Sequence, residues 1–301
     1  MMKRIAYPLI ALLFLLASCG SDETAPASQS SDWTPSFSRS TDSEVRIVGR
    51  KNGVQQFNHI LIPSYDGGPA TWKDNVKPSA SKVAASNEFI AFLPAGKSLP
   101  SQVEYDGATE YYLDYHDQKP SFFSLYPLMA QLKMHIWVEM DKNEAEGRML
   151  TNDSVYLYTK ADIDFPNRRL KNPAERKRVP WGAVIQSDVT DADGRFFRKL
   201  SMEKPLVVIP HTLAAEEEIL WFSFGNAHYY FKVEQPVELK PGYLASLTLQ
   251  VTYEEVKEEE GEVTPSDPPT KKVIAVDKHT ITITPWEMGE TYDETVTTPD
   301  N

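Results

Sequence analysis

Leu132-Lys133-Met134-His135-Ile136-Trp137-Val138-Glu139-Met140 decides the fold. Every even position is apolar, and three of the four odd positions between them are Lys, His and Glu. Side chains alternate between faces along a strand. The run therefore predicts a strand with one buried face and one mostly wet face, Leu132, Met134, Ile136 and Val138 pointing inward and Lys133 outward.

The same reading extends in both directions. Short apolar runs at 45–48, 57–62, 88–93, 110–115 and 155–159, then 196–197, 206–209, 219–224, 229–233 and 243–253, are cut by turn residues. Such spacing favours strands over helices. Asp193-Gly194 between two runs predicts a hairpin turn, and only residues 79–85 offer a short helical turn. The fold class expected is all-β, with two β-sandwich domains in tandem, since about 280 mature residues usually divide into two cores.

The expected domains are residues 41–165 and 180–286. Between them, residues 166–179 read as a basic linker holding Arg168, Arg169, Lys171, Arg176, Lys177 and Arg178. Within the second domain, 254–270 reads as an acidic and Pro-rich insertion releasing terminal strands at 271–286, followed by a polar tail, 287–301.

The N-terminus specifies the compartment. Lys3 and Arg4 precede an apolar run at 5–16 that ends in Leu16-Ala17-Ser18-Cys19. The run includes Pro8 and falls short of the roughly 17 to 25 residues of a spanning helix, so 1–18 reads as a cleaved lipoprotein signal peptide. Cys19 is the sole cysteine; acylation accounts for it, each buried methylene of an acyl chain contributing about 0.8 kcal/mol of membrane attachment. Residues 19–40, rich in Ser, Asp, Glu, Thr and Pro, read as a flexible tether.

Charge narrows the partners. Losing Lys3 and Arg4 from 31 basic residues leaves 29 against 43 acidic, a net −14, which repels phosphate and argues against nucleic acid. No catalytic apparatus is expected. Gly96-Lys97-Ser98 lacks the earlier glycine of a phosphate-binding loop, position 91 being Ala, and reads as a turn. Asp188, Asp191 and Asp193 lack the closing Glu of a calcium loop. The six histidines show no HxxxH or HxH spacing, so no metal is expected. The runs 216–218 and 258–260 read as solvated charge, no serine sits in a GxSxG elbow, and no cofactor is implied. Asp153-Ser154-Val155 resembles a three-residue O-glycosylation acceptor, although a loop-to-strand junction explains it as well.

Several segments together carry a family resemblance. They are Glu88-Phe89-Ile90-Ala91-Phe92-Leu93-Pro94, Ala130-Gln131-Leu132-Lys133-Met134, Val208-Ile209-Pro210-His211, Tyr229-Tyr230-Phe231, Leu239-Lys240-Pro241-Gly242-Tyr243 and Ile281-Thr282-Ile283-Thr284-Pro285-Trp286. In this order behind a lipobox, they resemble the fimbrillin-like proteins of the Bacteroidales, the FimA/Mfa-like subunits of type V pili.

The resemblance implies transthyretin-like, Greek-key sandwiches and a structural role in adhesion. It implies a precursor held in the outer membrane by its lipid, and removal of the N-terminal strand by an arginine-specific protease. The fimbrium then assembles by strand exchange between subunits and engages a host or bacterial surface receptor. Arg46, then Arg39 and Arg50, are the candidate cleavage sites. Ile274, Val276, Ile281 and Ile283 mark the candidate donor strand. The chain departs from the stalk pattern in its insertion and its polar tail. The rival reading is a glycan-binding surface lipoprotein of a nutrient-uptake system, with Trp33, Trp72, Trp181 and Trp286 as available aromatics, although tryptophan in a β protein is more often core.

Overall fold

The computed structural model describes residues 32–37, 43–64, 69–225, 227–253, 273–275 and 278–285. The signal peptide, Cys19, the insertion and the polar tail lie outside them. The described chain is all-β, as the alternation predicts.

The N-terminal unit comprises β1 (Ser36–Phe37), β2 (Val45–Lys51), β3 (Val54–Ile62), β4 (Thr71–Trp72), helix α1 (Ala80–Ala85), β5 (Glu88–Leu93), β6 (Gln102–Glu104), β7 (Tyr112–His116), β8 (Phe122–Phe123) and β9 (Tyr126–Pro127). Six of these strands form an antiparallel sheet in the order β4-β3-β2-β5-β7-β9. Both faces of its centre are buried. Val45, Ile47, Phe89 and Ala91 pack with Phe57, Trp72, Phe123 and Val83 of α1 on one side. Val48, Ile90, Phe92 and Leu113 meet Val103, Ala161, Ile163, Val207 and Ile209 on the other. A strand covered on both faces reads as an unbroken apolar run, which is why residues 89–93 do not alternate. Gly49 lets the Phe57 ring cross β2, since a Cβ there would lie 2.1 Å from Cε1. Ser79 caps α1 through its Oγ, which accepts from the Lys82 N–H.

The C-terminal unit runs through β10 (Ala130–Met140), β11 (Leu150–Asp164), β12 (Arg169–Val179), β13 (Val184–Thr190), β14 (Phe196–Met202), β15 (Leu206–Val208), β16 (His211–Leu213), β17 (Glu218–Phe224), β18 (Ala227–Lys232), β19 (Val237–Leu239), β20 (Tyr243–Thr252), β21 (Val273–Ala275) and β22 (Lys278–Pro285). Two sheets face one another, β13-β14-β10-β20-β22 and β12-β11-β17-β18-β21, with β15 added to β10 and β6 to β11. β10 is central, antiparallel to β14 and parallel to β20. Leu132, Met134, Ile136 and Val138 all enter the core between the sheets, Ile136 with 0% exposure between Leu200 and Leu249. The hairpin turn at Asp193-Gly194 is present, with Gly194 at φ +83° and its N–H donating to the Asp191 carbonyl.

Three expectations need correction. First, β10 and β11, expected in the N-terminal domain, pair into the two sheets of the C-terminal sandwich, β10 with β14 and β20 and β11 with β12 and β17. Alternation specifies which face of β10 is buried, but its partners β14 and β20 lie far along the chain. Second, the expected linker contains β12, paired with β11 from Val155–Val179 to Asp164–Arg169. As an edge strand it exposes most of its side chains and tolerates Pro173, so its composition mimics a connector. Third, Lys133 is only 8% exposed. On a strand flanked on both sides, neighbouring side chains cover its aliphatic stem.

The β11–β12 hairpin also joins the two units. Lys160, Ala161 and Asp162 pair with Glu104, Val103 and Gln102 of β6, while Ala161 and Ile163 enter the core shared with the N-terminal sheet.

Candidate functional site

Residues 32–37, expected within the tether, are docked on the N-terminal unit. Trp33 meets Phe57 and Phe89 edge-on and Trp72 at a tilt, with ring centroids 6.1, 5.4 and 6.1 Å apart. Its indole Nε1 donates to the Pro120 carbonyl at 2.7 Å. Trp72 Nε1 donates to Thr34 Oγ1 at 3.2 Å, and Pro35 is buried. β1 pairs in parallel with β8, Ser36 with Phe122 and Phe37 with Phe123, and Phe37 stacks on Phe123 at 6.1 Å. The sequence signal for this was two aromatics four residues apart in an otherwise polar stretch. Aromatic burial outweighs the low local β-propensity around them.

Beneath this seat, His59 stacks on Phe57 and meets Trp72 edge-on. Burial first, and then the nearby Lys82 charge, push its pKa down.

The three candidate arginines differ sharply. Arg46 lies inside central strand β2, paired with β3 and β5, and is 5% exposed. Its guanidinium donates to the Ala95 and Gly96 carbonyls and to Asn58 Oδ1, and burial lowers its pKa. A charge buried this way is structural: its donors need acceptors, and the turn at Gly96 supplies one. Cleavage after Arg46 in the folded chain would require opening the pairing of β2 with β3 and β5. Arg50 is half-buried at the end of β2, its guanidinium 5.0 Å over the Phe165 ring. Arg39 lies outside the described residues, two positions beyond the docked Phe37.

The candidate donor strand is accommodated within its own unit. β22 pairs with β20 over eight residue pairs and closes one edge of its sheet, and β21 pairs in parallel with β18 at the edge of the other. Ile281 packs against the core, whereas Ile283 is exposed at the end of the strand. Ile274 sits in β21, and Val276 lies outside the described residues. Cys19 also lies outside them.

Among the described residues, the rival's tryptophans form no platform. Trp72 and Trp181 are core residues, Trp33 fills the seat, and Trp286 lies outside the described residues. Aromatics on the outer face of the β12-β11-β17-β18-β21 sheet carry cations over their rings, Arg178 on Trp221, Arg176 on Tyr156 and Tyr158, and Lys232 on Tyr230. Among the described residues, no three His, Cys, Asp or Glu side chains are grouped to hold a metal ion, and no helix is long and apolar enough to cross a membrane.

No family model matches the chain, and no curated protein matches it. Similar solved structures include a protein of Bacteroides uniformis provisionally named for cell adhesion, at 12% identity, covering 86% of this chain and 95% of that one with a TM-score of 0.46. Another with the same provisional name, from Bacteroides ovatus, is 10% identical over 85% of this chain and 91% of that one, TM-score 0.46. A fimbrial protein of Bacteroides ovatus is 10% identical over 79% of this chain and 46% of that one, TM-score 0.27. At such identities and TM-scores, no role passes from those proteins to this chain.

Proposed function

We propose that the chain is a subunit of a surface fibre that mediates adhesion, kept inert by its own residues 32–37 until a protease cuts after Arg39. The observation that carries this reading is the docked Trp33–Phe37 segment. It fills an aromatic seat, and among the described residues its strand pairing is the two-residue one with β8, outside the six-stranded sheet. Arg39 lies between Cys19 and β2. A single cut there separates the folded body from a lipid on Cys19 and frees the seat.

An emptied seat presents aromatic pockets and unpaired backbone groups, the conditions for adding a strand from another chain. β22 is the proposed donor, because among the described residues it pairs with β20 on one side only. Buried side chains such as Ile281 each contribute roughly 1.5 to 3 kcal/mol, and the backbone ladder adds to that. On this reading, Cys19 is acylated, the precursor sits in the outer membrane, and the processed subunit enters a fimbrium whose partners are other subunits and a surface receptor. Stacking of a sugar on Trp221 and Tyr230 would have to displace Arg178 and Lys232, which ranks the glycan-binding reading second.

The test is mass spectrometry of the surface-exposed form together with size analysis after limited trypsin digestion. An N-terminus at Ser40 and conversion of monomer to larger species are expected. Cleavage after Arg39 that yields only monomers would overturn self-assembly.

A further inference from the structure

One buried carboxylate stands between the seat of residues 32–37 and the C-terminal sandwich. Asp114, on β7, is 1% exposed. Its Oδ2 accepts from the Ser124 N–H at 2.7 Å and faces His116 Nε2 at 2.8 Å, and its Oδ1 accepts from the Tyr115 N–H at 2.8 Å. Arg168 Nε lies 2.8 Å from Oδ1, in ion-pair range without the alignment of a hydrogen bond. Arg168 sits at the tip of the β11–β12 hairpin. It adopts φ +50°, donates from Nη2 to the Tyr115 carbonyl at 2.7 Å, and lies 5.1 Å over Tyr126. A non-glycine residue in the left-handed region marks a position that its surroundings over-determine.

The other side of Asp114 leads to the seat. Ser124 directly follows β8, the strand against which β1 pairs. The Ser36 N–H donates to the Ser121 carbonyl at 3.1 Å, Phe37 stacks on Phe123, and Phe123 meets His116 edge-on at 5.4 Å.

We propose that Asp114 couples occupancy of the seat to the order of the hairpin tip, so that departure of residues 32–37 loosens residues 165–170. The inference rests on the reading of 32–37 as a removable segment. When Phe37 leaves, Phe123 loses its stacking partner and the backbone of 121–124 its ladder. Ser124 then holds Asp114 less firmly. The carboxylate gains water, and its attraction for Arg168 falls as the local dielectric rises. Linkage makes the effect reciprocal: removing Arg168 must weaken the seat by the same factor. The apolar interface of Val48, Ile90 and Phe92 with Ala161 and Ile163 stays in place, so the hairpin tip responds and the packing of the two units does not.

The experiment is hydrogen exchange by mass spectrometry on the full mature chain, comparing wild type with Phe37→Ala, Arg168→Ala and the double variant. None requires a protease, so the result is independent of whether Arg39 is cut. The readouts are the Ser124 amide, bonded to Asp114, and the Arg168 amide, bonded to the Phe165 carbonyl. Phe37→Ala is expected to speed exchange at 165–170, and Arg168→Ala at 121–124, each by at least about 5-fold, the lower end of common coupling factors. In the double variant the two effects should be less than multiplicative. Acceleration in Phe37→Ala confined to residues 121–124, or fully multiplicative effects in the double variant, would overturn the coupling.

Discussion

Replacing Trp33 by Ala should free the N-terminal segment without unfolding the sheet beneath it. The indole contacts three aromatic rings at 5.4 to 6.1 Å and makes one hydrogen bond to Pro120. Aromatic pairs contribute about 0.5 to 1.5 kcal/mol each beyond area burial, and a hydrogen bond of this kind about 1 kcal/mol. Since the indole is only partly buried, the net loss is about 3 to 4 kcal/mol of docking free energy. At about 1.4 kcal/mol per factor of ten, the undocked population rises by roughly two to three orders of magnitude. A protease must hold the residues around Arg39 extended, Phe37 among them, so cleavage there tracks the undocked fraction when opening and closing are fast. The assay is a trypsin time course on the lipid-free chain, with cleavage after Arg39 followed by mass spectrometry. The initial rate should rise by about 100-fold or more, with Trp33→Phe intermediate. A rate equal to that of wild type would show that the contacts to Phe57, Phe89 and Trp72 protect nothing. A first cut after Arg46 in the folded wild type would refute the burial argument itself.

Ile136→Ala opens a cavity at the centre of the C-terminal core and should cost about 2 to 5 kcal/mol, read as a fall of about 1 to 2 M in the urea midpoint; Ile136→Asp should prevent that sandwich from folding. Arg46→Met leaves the Ala95 and Gly96 carbonyls without their donor and should lower stability by about 1 to 3 kcal/mol in the same assay, with no change in the trypsin site. His211 is held below its ordinary pKa, chiefly by burial and further by the Arg176 charge, while its hydrogen bond to the Ile209 carbonyl opposes the shift. The unfolded chain therefore binds the extra proton first, and stability is full above about pH 6.5 and falls as pH drops below it. Urea midpoints measured from pH 8 to 5.5 should show that slope, and His211→Gln should flatten it in part, His59 supplying the remainder. Truncation at Pro269 removes β21 and β22, and should abolish larger species after processing while leaving a folded monomer, as size-exclusion chromatography would show.

Much of this was legible from residues alone. Period-two alternation in 132–140 determines the inward face of β10, Asp193-Gly194 determines a hairpin turn, and the missing glycine at position 91 removes a phosphate loop. Each follows from local stereochemistry, which a sequence carries in full. Only the tertiary structure decided which sandwich owns β10, because β14 and β20 return from residues 196–202 and 243–252 and alternation says nothing about partners. Only it separated edge strand β12 from a linker, since an exposed strand and a solvated loop call for the same polar side chains. It alone showed that Arg46 is enclosed by Ala95, Gly96 and Asn58 while Trp33 and Phe37 hold down a polar leader. Burial of a charge or docking of an aromatic depends on what folds over it, and those covering residues lie from about ten to ninety positions away in the chain.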